Sequence, residues 1–428
     1  MTAIFKTVLQ FILERQTVRL LRKYKPKVIA ITGSYGKTTT KHAVAKVLEQ
    51  KYRVLYHEGN YNSEIGLPMS VFSRQVPQPL WNVFAWIGIL IKNEAKIAQG
   101  FEYEVIVLEM GADHPGDIDH FTKYIKPDIG IVTAVAPVHI EMFSTVESIL
   151  EEKWLVADRS DTALINCDNS LLADKNRSTG RGALTYGYGS ADYQIVRHAF
   201  NPKSLTTDLE ISLPDNNRIM VSTHVVGKHA MYSIAAAVAV GVLCEVAQHH
   251  IRQGIEGVVS TAGRMQILRG KNNVTVVDDT YNANADSMIA AIRTLNELPG
   301  KNIAILGSIN ELGEVSESEH RKVGKEAGRL DYLITIGNDA ARYLADSAKA
   351  AGLSVDRIFS FDSPVAAGNK AAEIVQSGDA VLVKGSQNQV FSEEAIKPLL
   401  YDVSDYDRLV RQSDQWMDKK KAQFSDMV

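Results

Sequence analysis

Ile29-Ala30-Ile31-Thr32-Gly33-Ser34-Tyr35-Gly36-Lys37-Thr38-Thr39-Thr40 decides the fold. A short apolar run enters a turn with two glycines, and Lys-Thr opens the polar segment beyond it, an order that reads strand, anion-binding turn, helix. Gly33 and Gly36 let backbone amides approach phosphate groups, with Ser34, Tyr35 and Thr39 completing the lining. Lys37 supplies a point charge to the β and γ groups, and Thr38 offers a hydroxyl to magnesium. The common loop of this kind has glycine six residues before the lysine; here that position is Ile31, so the spacing G-x-x-G-K-T makes a tighter turn.

Outward from this stretch the chain alternates short apolar runs with helical patterns. Val28–Ile31, Val105–Leu108, Ile129–Val132 and Ala163–Ile165 are apolar enough for strands buried on both faces, which implies a parallel sheet covered by helices. Between about 185 and 226 the pattern becomes alternating and polar, as antiparallel strands appended to the sheet would be. After Gly263-Arg264 the alternation restarts, with Val274–Val277, Ile303–Leu306, Tyr332–Ile336 and Ala380–Val383 as further buried strands. The expected architecture is α/β: a P-loop ATPase-type central domain over 28–262 with a mainly parallel sheet, then a Rossmann-like α/β domain over 263–428. Residues 1–27 precede them as a basic amphipathic helix, with Phe5, Val8, Leu9, Ile12, Val18 and Leu21 at near-helical spacing. That helix reads as docked on the next domain or as a membrane-surface element, and Leu80–Ile91 as a packed hairpin or partner-facing patch. The tail from Ser404, with Lys419-Lys420-Lys421, reads as a solvated helix end.

Composition narrows the function classes. Of 428 residues, 47 are Lys or Arg and 50 Asp or Glu, a net charge of -3 that suggests no nucleic-acid partner. Two cysteines cannot build a disulfide framework or a cysteine zinc site, and no apolar run is long enough to span a bilayer. A cytoplasmic protein is expected.

The tight phosphate loop and the blocks after it resemble the Mur ligase superfamily, which joins an amine to a carboxylate with ATP. Asn60-Tyr61-Asn62-Ser63-Glu64-Ile65-Gly66-Leu67-Pro68 is similar to a segment of the MurF branch, and Asp279-Thr280-Tyr281-Asn282-Ala283-Asn284 to its D-x-Y-N-A-N signature. Gly307–Gly313 and Lys384-Gly385-Ser386 resemble two further blocks of that branch. Glu109 and His139 lie beyond strand ends, where open α/β sheets bind ligands, which suits magnesium; either could be structural instead.

What the resemblance implies is a residue-by-residue assignment. Lys37, Lys153, Arg264 and His139 would be catalytic, Arg264 reaching the γ-phosphate and Lys153 carrying a carbamate. ATP would engage the loop together with Arg264, Asp279 (the ribose-binding acid) and Tyr281. Two Mg2+ ions would sit at Thr38 and at Glu109, His139 and carbamylated Lys153. Asn60, Asn62, Asn282, Asn284, Glu311 and Lys384 would line the substrate site. His320 would face the incoming amine or the surface. A hinge near 260–264 would close the second domain.

Two departures stand out. In Gly227-Lys228-His229-Ala230-Met231-Tyr232-Ser233, Ala230 and Ser233 replace two asparagines of the family pattern, the first an adenine contact. About 27 residues precede the loop where the branch carries a uridine-diphosphate-binding domain, so that domain is expected to be missing. The implied activity is ATP-dependent addition of D-alanyl-D-alanine to a UDP-muramyl-tripeptide-like acceptor through an acyl phosphate, in peptidoglycan precursor synthesis, by a monomer. The alternatives are a superfamily ligase acting on a non-muramyl acid, or a noncatalytic nucleotide-binding partner.

Overall fold

The computed structural model describes residues 3–57, 64–77, 80, 82–112, 114–136, 140–310, 312–387 and 389–424. The chain forms two compact units: Met1–His198 with Leu209–Ser222 and His229–Val258, and Ala199–Asp208 with Thr223–Lys228 and Val259–Val428.

The first unit is organised by a nine-stranded sheet: β1 (Lys27–Thr32), β2 (Val54–Leu55), β3 (Val105–Glu109), β4 (Ile129–Val132), β5 (Thr162–Asn166), β6 (Leu184–Gly187), β7 (Tyr193–Asn201), β8 (Thr206–Ser212) and β9 (Arg218–Thr223), in the order β2-β3-β1-β4-β5-β6-β7-β8-β9. β1 pairs in parallel with β3 (Ile31 opposite Glu109) and β4 (Thr32 opposite Val132), so both neighbours deliver their C-terminal residues beside the phosphate turn. Its residues Val28 to Ile31 are buried, the expected pattern for a central parallel strand. The polar strands do extend this sheet, but β6 and β7 pair in parallel where antiparallel strands were expected. In β8, Thr207, Leu209 and Ile211 turn inward and their neighbours do not, as period-two geometry requires of a strand with one covered face.

The second unit carries a six-stranded sheet, β10 (Gln266–Arg269), β11 (Thr275–Asp278), β12 (Asn302–Gly307), β13 (Tyr332–Ile336), β14 (Ile358–Phe361) and β15 (Ala380–Lys384), in the order β10-β11-β15-β12-β13-β14. All pairs are parallel except β10 with β11. Alternate residues feed opposite cores: Ala304 and Leu306 join one cluster, Ile303 and Ile305 the other. That two-sided burial is why each strand reads as an unbroken apolar run.

Among the helices, α1 (Ala3–Tyr24) and α2 (Lys37–Leu48) stand where the sequence puts them. α3 (Val83–Gln99), N-capped by the Asn82 side chain, replaces the hairpin expected around 80–91; nine uncharged residues with Gly88 as their one breaker favour a helix once Trp86 has a core to enter. Trp81 lies outside the described residues. The buried stripe of α1 is Leu9, Leu13, Gln16, Thr17 and Leu20, whereas Val8, expected in the apolar face, is exposed. Further elements used below are α4 (Val146–Asp158), α5 (Lys228–Leu243), α6 (Ala285–Leu295), α7 (Ser316–Ala327) and α8 (Asp414–Gln423). Both cysteines are free. Among the described residues no helix is long and apolar enough to cross a membrane.

Candidate active site

The phosphate turn owes its shape to two glycines doing different things. Gly33 has φ +145°, and a Cβ there would lie 2.0 Å from Thr133 Oγ1 and 3.0 Å from Ala134 N, so only hydrogen fits against the segment that follows β4. Gly36 has φ +82°, and a Cβ there would meet nothing closer than 3.7 Å; its requirement is the left-handed backbone that caps α2. Thr133 clamps the turn from the side: its hydroxyl reaches the Tyr35 carbonyl at 2.5 Å and the Thr32 carbonyl at 3.1 Å. The Ser34 amide donates to Ala134 O at 2.8 Å, and the Ser34 hydroxyl accepts from the Ala136 amide at 3.0 Å. Tyr35 points outward, and Thr39 is half-buried.

The Lys37 ammonium folds back onto the Gly33 carbonyl at 2.8 Å, at the mouth of the loop. Thr38 Oγ1 donates to Glu109 Oε2 at 3.1 Å, so the first turn of α2 and the end of β3 meet at one carboxylate oxygen. The same oxygen lies 3.4 Å from the ammonium of Lys41, which is buried like Glu109. Lys41 was not singled out from sequence, although it stands one helical turn after Lys37, on the same face. Ser233 of α5 accepts from Thr40 Oγ1 at 2.9 Å, so the residue in place of the family's asparagine pins α5 to the phosphate-loop helix. Ala230 is buried.

Beside this stretch, Asp168 receives the amides of Tyr188 (2.7 Å) and Gly189 (2.8 Å). Burial disfavours its charge, but those amides and the Tyr232 hydroxyl overcome it and hold the carboxyl below its usual range. The neighbouring Cys167 thiol is pushed up to about 11 by burial and by that carboxylate. Lys153 is buried within α4, whose preceding residue Glu152 accepts the amides of Gly116 and Ile118.

A magnesium site tolerates few protein ligands, because this small cation keeps waters and takes the rest of its shell from substrate phosphates. The hydroxyl of Thr38 and the carboxylate of Glu109, two hard oxygen donors already in contact, fit that requirement. Among the described residues no group of three or more His, Cys, Asp and Glu side chains could hold a metal by itself. His139, Asn60, Asn62 and Glu311 lie outside the described residues.

In the second unit the D-x-Y-N-A-N block follows β11. Asp279 Oδ2 is ion-paired with Lys384 Nζ at 2.6 Å, its Oδ1 accepts the Met265 amide, and Lys384 also donates to the Asn282 carbonyl at 2.9 Å. The end of β15 and the loop after β11 are thereby tied through the buried Lys384. Arg264 stacks its guanidinium 4.2 Å above the Tyr281 ring, a cation–π contact that orients its fork. Gly263, at φ +69°, returns its carbonyl to the Tyr281 amide at 2.9 Å, and a Cβ there would lie 2.8 Å from that nitrogen. Asn282 Oδ1 accepts the Ala283 amide, while Asn284 Oδ1 accepts the Ser287 amide at 2.8 Å in a capping box that starts α6.

Two placements differ from the reading of the sequence. His320, on α7, is not a surface histidine: it is fully buried, accepts the Ile309 amide at Nε2 (2.9 Å) and donates from Nδ1 to the Ser316 carbonyl (2.8 Å). The tail is solvated at Lys419 and Lys421 but not at Lys420 of α8, which is fully buried between Glu393 and Glu394. Arg411, which no motif marks, pairs with Glu393 and donates to the Thr280 and Tyr281 carbonyls at 2.6 and 3.1 Å.

Residues 31–78 and 89–241 match the Mur ligase middle domain, and residues 263–387 match the Mur ligase glutamate ligase domain. The chain is 28% identical over 387 residues to UDP-N-acetylmuramoyl-tripeptide–D-alanyl-D-alanine ligase of Bacillus subtilis, covering 89% of this chain and 77% of that one. With the protein of that name from Escherichia coli it shares 26% identity over 379 residues, 87% of this chain and 76% of the other. The crystal structure of MurF ligase from Thermotoga maritima in complex with ADP superposes with a TM-score of 0.70 at 26% identity, covering 90% of this chain and 84% of that one. The chain is thus built of a Mur ligase middle domain followed by a Mur ligase glutamate ligase domain.

Proposed function

We propose that this chain, in three parts at 1–27, 28–262 and 263–428, is an ATP-dependent ligase that joins D-alanyl-D-alanine to a UDP-muramyl-tripeptide-like acceptor as a cytoplasmic monomer in peptidoglycan precursor synthesis. The observation that carries this reading is the contact of Thr38 with Glu109 beside a glycine-shaped phosphate turn, in a chain resembling MurF ligases over most of its length. The γ-phosphoryl group of ATP passes to a carboxylate oxygen of the acceptor, releasing ADP; the amine nitrogen then attacks the acyl carbon, and phosphate leaves as the amide forms. Magnesium, when bound, supplies Lewis-acid neutralisation of the phosphoryl charge.

The chain's own residues position and neutralise. The amides from Tyr35 to Thr39 cradle the phosphates, and Lys37 exchanges the Gly33 carbonyl for the β and γ groups. Thr38 is assigned to one ion and Glu109, His139 and Lys153 to a second, with the Thr38–Glu109 contact setting the two ligand sets side by side. Lys153, buried within α4, is assigned the carbamate, an oxygen anion that would suit a cation where an ammonium would be repelled. Arg264 meets the γ-phosphate, with Tyr281 setting its orientation. Asp279 and Tyr281 are assigned to the nucleotide, and Asn60, Asn62, Asn282, Asn284, Glu311 and Lys384 to the acceptor and amine.

The test is ADP release from ATP with UDP-muramyl-tripeptide and D-alanyl-D-alanine. ADP formation should require the dipeptide and fall at least about a hundredfold in Lys37→Ala, which removes a preorganised charge. No turnover with this pair, but turnover with another carboxylic acid, would overturn the substrate assignment.

A further inference from the structure

α1 and α3 lie side by side and parallel. Gln16 bonds to the Leu90 carbonyl and Glu94, Arg19 to Glu94, and Lys23 to the Ile97 carbonyl, so each step along one helix is matched on the other. Leu9, Leu13 and Trp86 fill the space between and beneath them. The surface that this packing leaves outside is apolar at one end and cationic at the other.

On α3 the outward residues of the first half are Val83, Phe84, Ile87 and Ile91, with Phe84 87% and Ile91 64% exposed, and Gly88 between them faces open space. On α1 the exposed stripe at spacing i, i+3, i+7, i+11, i+14 is Val8, Phe11, Arg15, Arg19 and Arg22. Phe11 is 55% exposed, with the Arg15 guanidinium 4.7 Å above its ring. Beyond the apolar end, Arg19, Arg22 and Lys23 with Glu94 line a cavity of about 470 Å3 between the helices. The two helices hold seven basic residues and two acidic ones in a chain whose net charge is -3. Both acids are engaged, Glu14 with His120 and Glu94 with Arg19.

We propose that this two-helix face docks the protein on an anionic phospholipid surface. At 1.5 Å per residue, Phe11 and Arg22 are separated by roughly 16 Å along α1, and Phe84 and Lys92 by roughly 12 Å along α3. An apolar end seated 5–10 Å into the headgroup and acyl boundary, a depth typical of interfacial helices, therefore leaves the arginines at phosphate level. Charge complementarity selects the occupant: a second copy of this face brings the arginines no free carboxylate, since both acids of the two helices are engaged, whereas an anionic bilayer neutralises them.

The test uses the full chain sedimented with extruded vesicles of phosphatidylcholine or of phosphatidylglycerol. The protein should pellet with phosphatidylglycerol, with much less taken up by phosphatidylcholine, and salt should release it. Arg15→Ala with Arg22→Ala should lower partitioning about fivefold for each cation removed, the equivalent of ~1 kcal/mol apiece. Phe84→Gln with Ile91→Gln should lower it at least about tenfold while leaving thermal unfolding unchanged, because both side chains are exposed. Equal uptake by the two lipids, no uptake by phosphatidylglycerol, or double variants that sediment like the wild type would overturn the proposal. So would a vesicle-free dimer, seen by analytical ultracentrifugation, that Phe84→Gln dissociates.

Discussion

Lys419, Lys420 and Lys421 are identical in type and adjacent in sequence, and the structure separates them sharply. Lys419 and Lys421 are exposed, whereas Lys420 is 0% exposed, with its three protons directed at Glu393 Oε1 (2.8 Å), Glu394 Oε1 (2.6 Å) and the Arg411 carbonyl (2.8 Å). Lys420→Met keeps the length of the apolar stem and deletes the charge. It leaves two carboxylates in a dry site with Arg411 and Lys397 as their remaining partners. Removing one partner of a buried pair costs about 3–5 kcal/mol, because the other charge stays behind without compensation. For a unit of this size that corresponds to a fall of roughly 10 °C in the midpoint of its thermal transition.

The assay is thermal unfolding of the full chain by circular dichroism, with Lys421→Met as the control, expected to lie within about 0.5 kcal/mol of wild type. An acid titration adds an independent readout. Burial pushes the Glu394 carboxyl up, but Lys397 and Lys420 outweigh it and hold the carboxyl below its ordinary value of 4.5. A depressed carboxyl contributes stability above that ordinary value and loses it as pH falls through the folded-state value, so wild type should weaken on the acid side. Lys420→Met should flatten that loss. A Lys420→Met protein as stable as Lys421→Met would refute the reasoning, since a buried carboxylate pair cannot be indifferent to its central cation.

Gly33→Ala forces a Cβ to within 2.0 Å of Thr133 Oγ1, and should cost roughly 3 kcal/mol and abolish nucleotide binding. Gly36→Ala meets nothing closer than 3.7 Å and should cost only the left-handed backbone penalty of about 1–2 kcal/mol; equal midpoints for the two variants would contradict this difference. Burial, joined by repulsion from Asp279 and Glu393, pushes the Asp278 carboxyl up to about 6 despite bonds from Thr280. The folded state therefore holds this proton more tightly than the unfolded chain, and stability from this group falls as pH rises from about 4 to 6. Relative to wild type, Asp278→Asn should gain roughly 3 kcal/mol across that window, and a stability difference that does not change with pH would exclude it.

The features legible in the sequence are those that short-range geometry dictates. A strand buried on both faces must be apolar throughout, so β1, β3, β4, β12, β13 and β15 announce themselves, and a turn that accepts an anion must spend glycines at fixed offsets from a lysine. The partnerships that complete the candidate site are long-range and use ordinary residues. Glu109 is conspicuous for standing at a strand end, but the approach of Lys41 to it depends on α2 lying across β3, which no local pattern encodes. Arg411 reaches Thr280 and Tyr281 across about 130 residues of chain. The misreading of α3 as a hairpin has a similar origin, since tertiary packing of Trp86 decides between helix and turn where periodicity is blurred by an apolar residue at nearly every position.

The charges around the phosphate turn explain how it keeps its shape before any anion arrives. An empty loop of converging amides is unfavourable unless neighbouring groups hold it, and Thr133 supplies that hold from the end of β4 through the carbonyls of Thr32 and Tyr35. Lys37 meanwhile ties the start of α2 back to the carbonyl of Gly33 at the mouth of the turn. Glu109 is the opposite case: an acid buried at a strand end would be costly alone, and contacts from Lys41 and Thr38 meet it there and aim it at the mouth of α2. A divalent cation entering there gains a carboxylate whose desolvation has already been offset by folding. The second lysine of G-K-T-T-T-K thus pairs with the acid, and the first with a carbonyl of the turn itself.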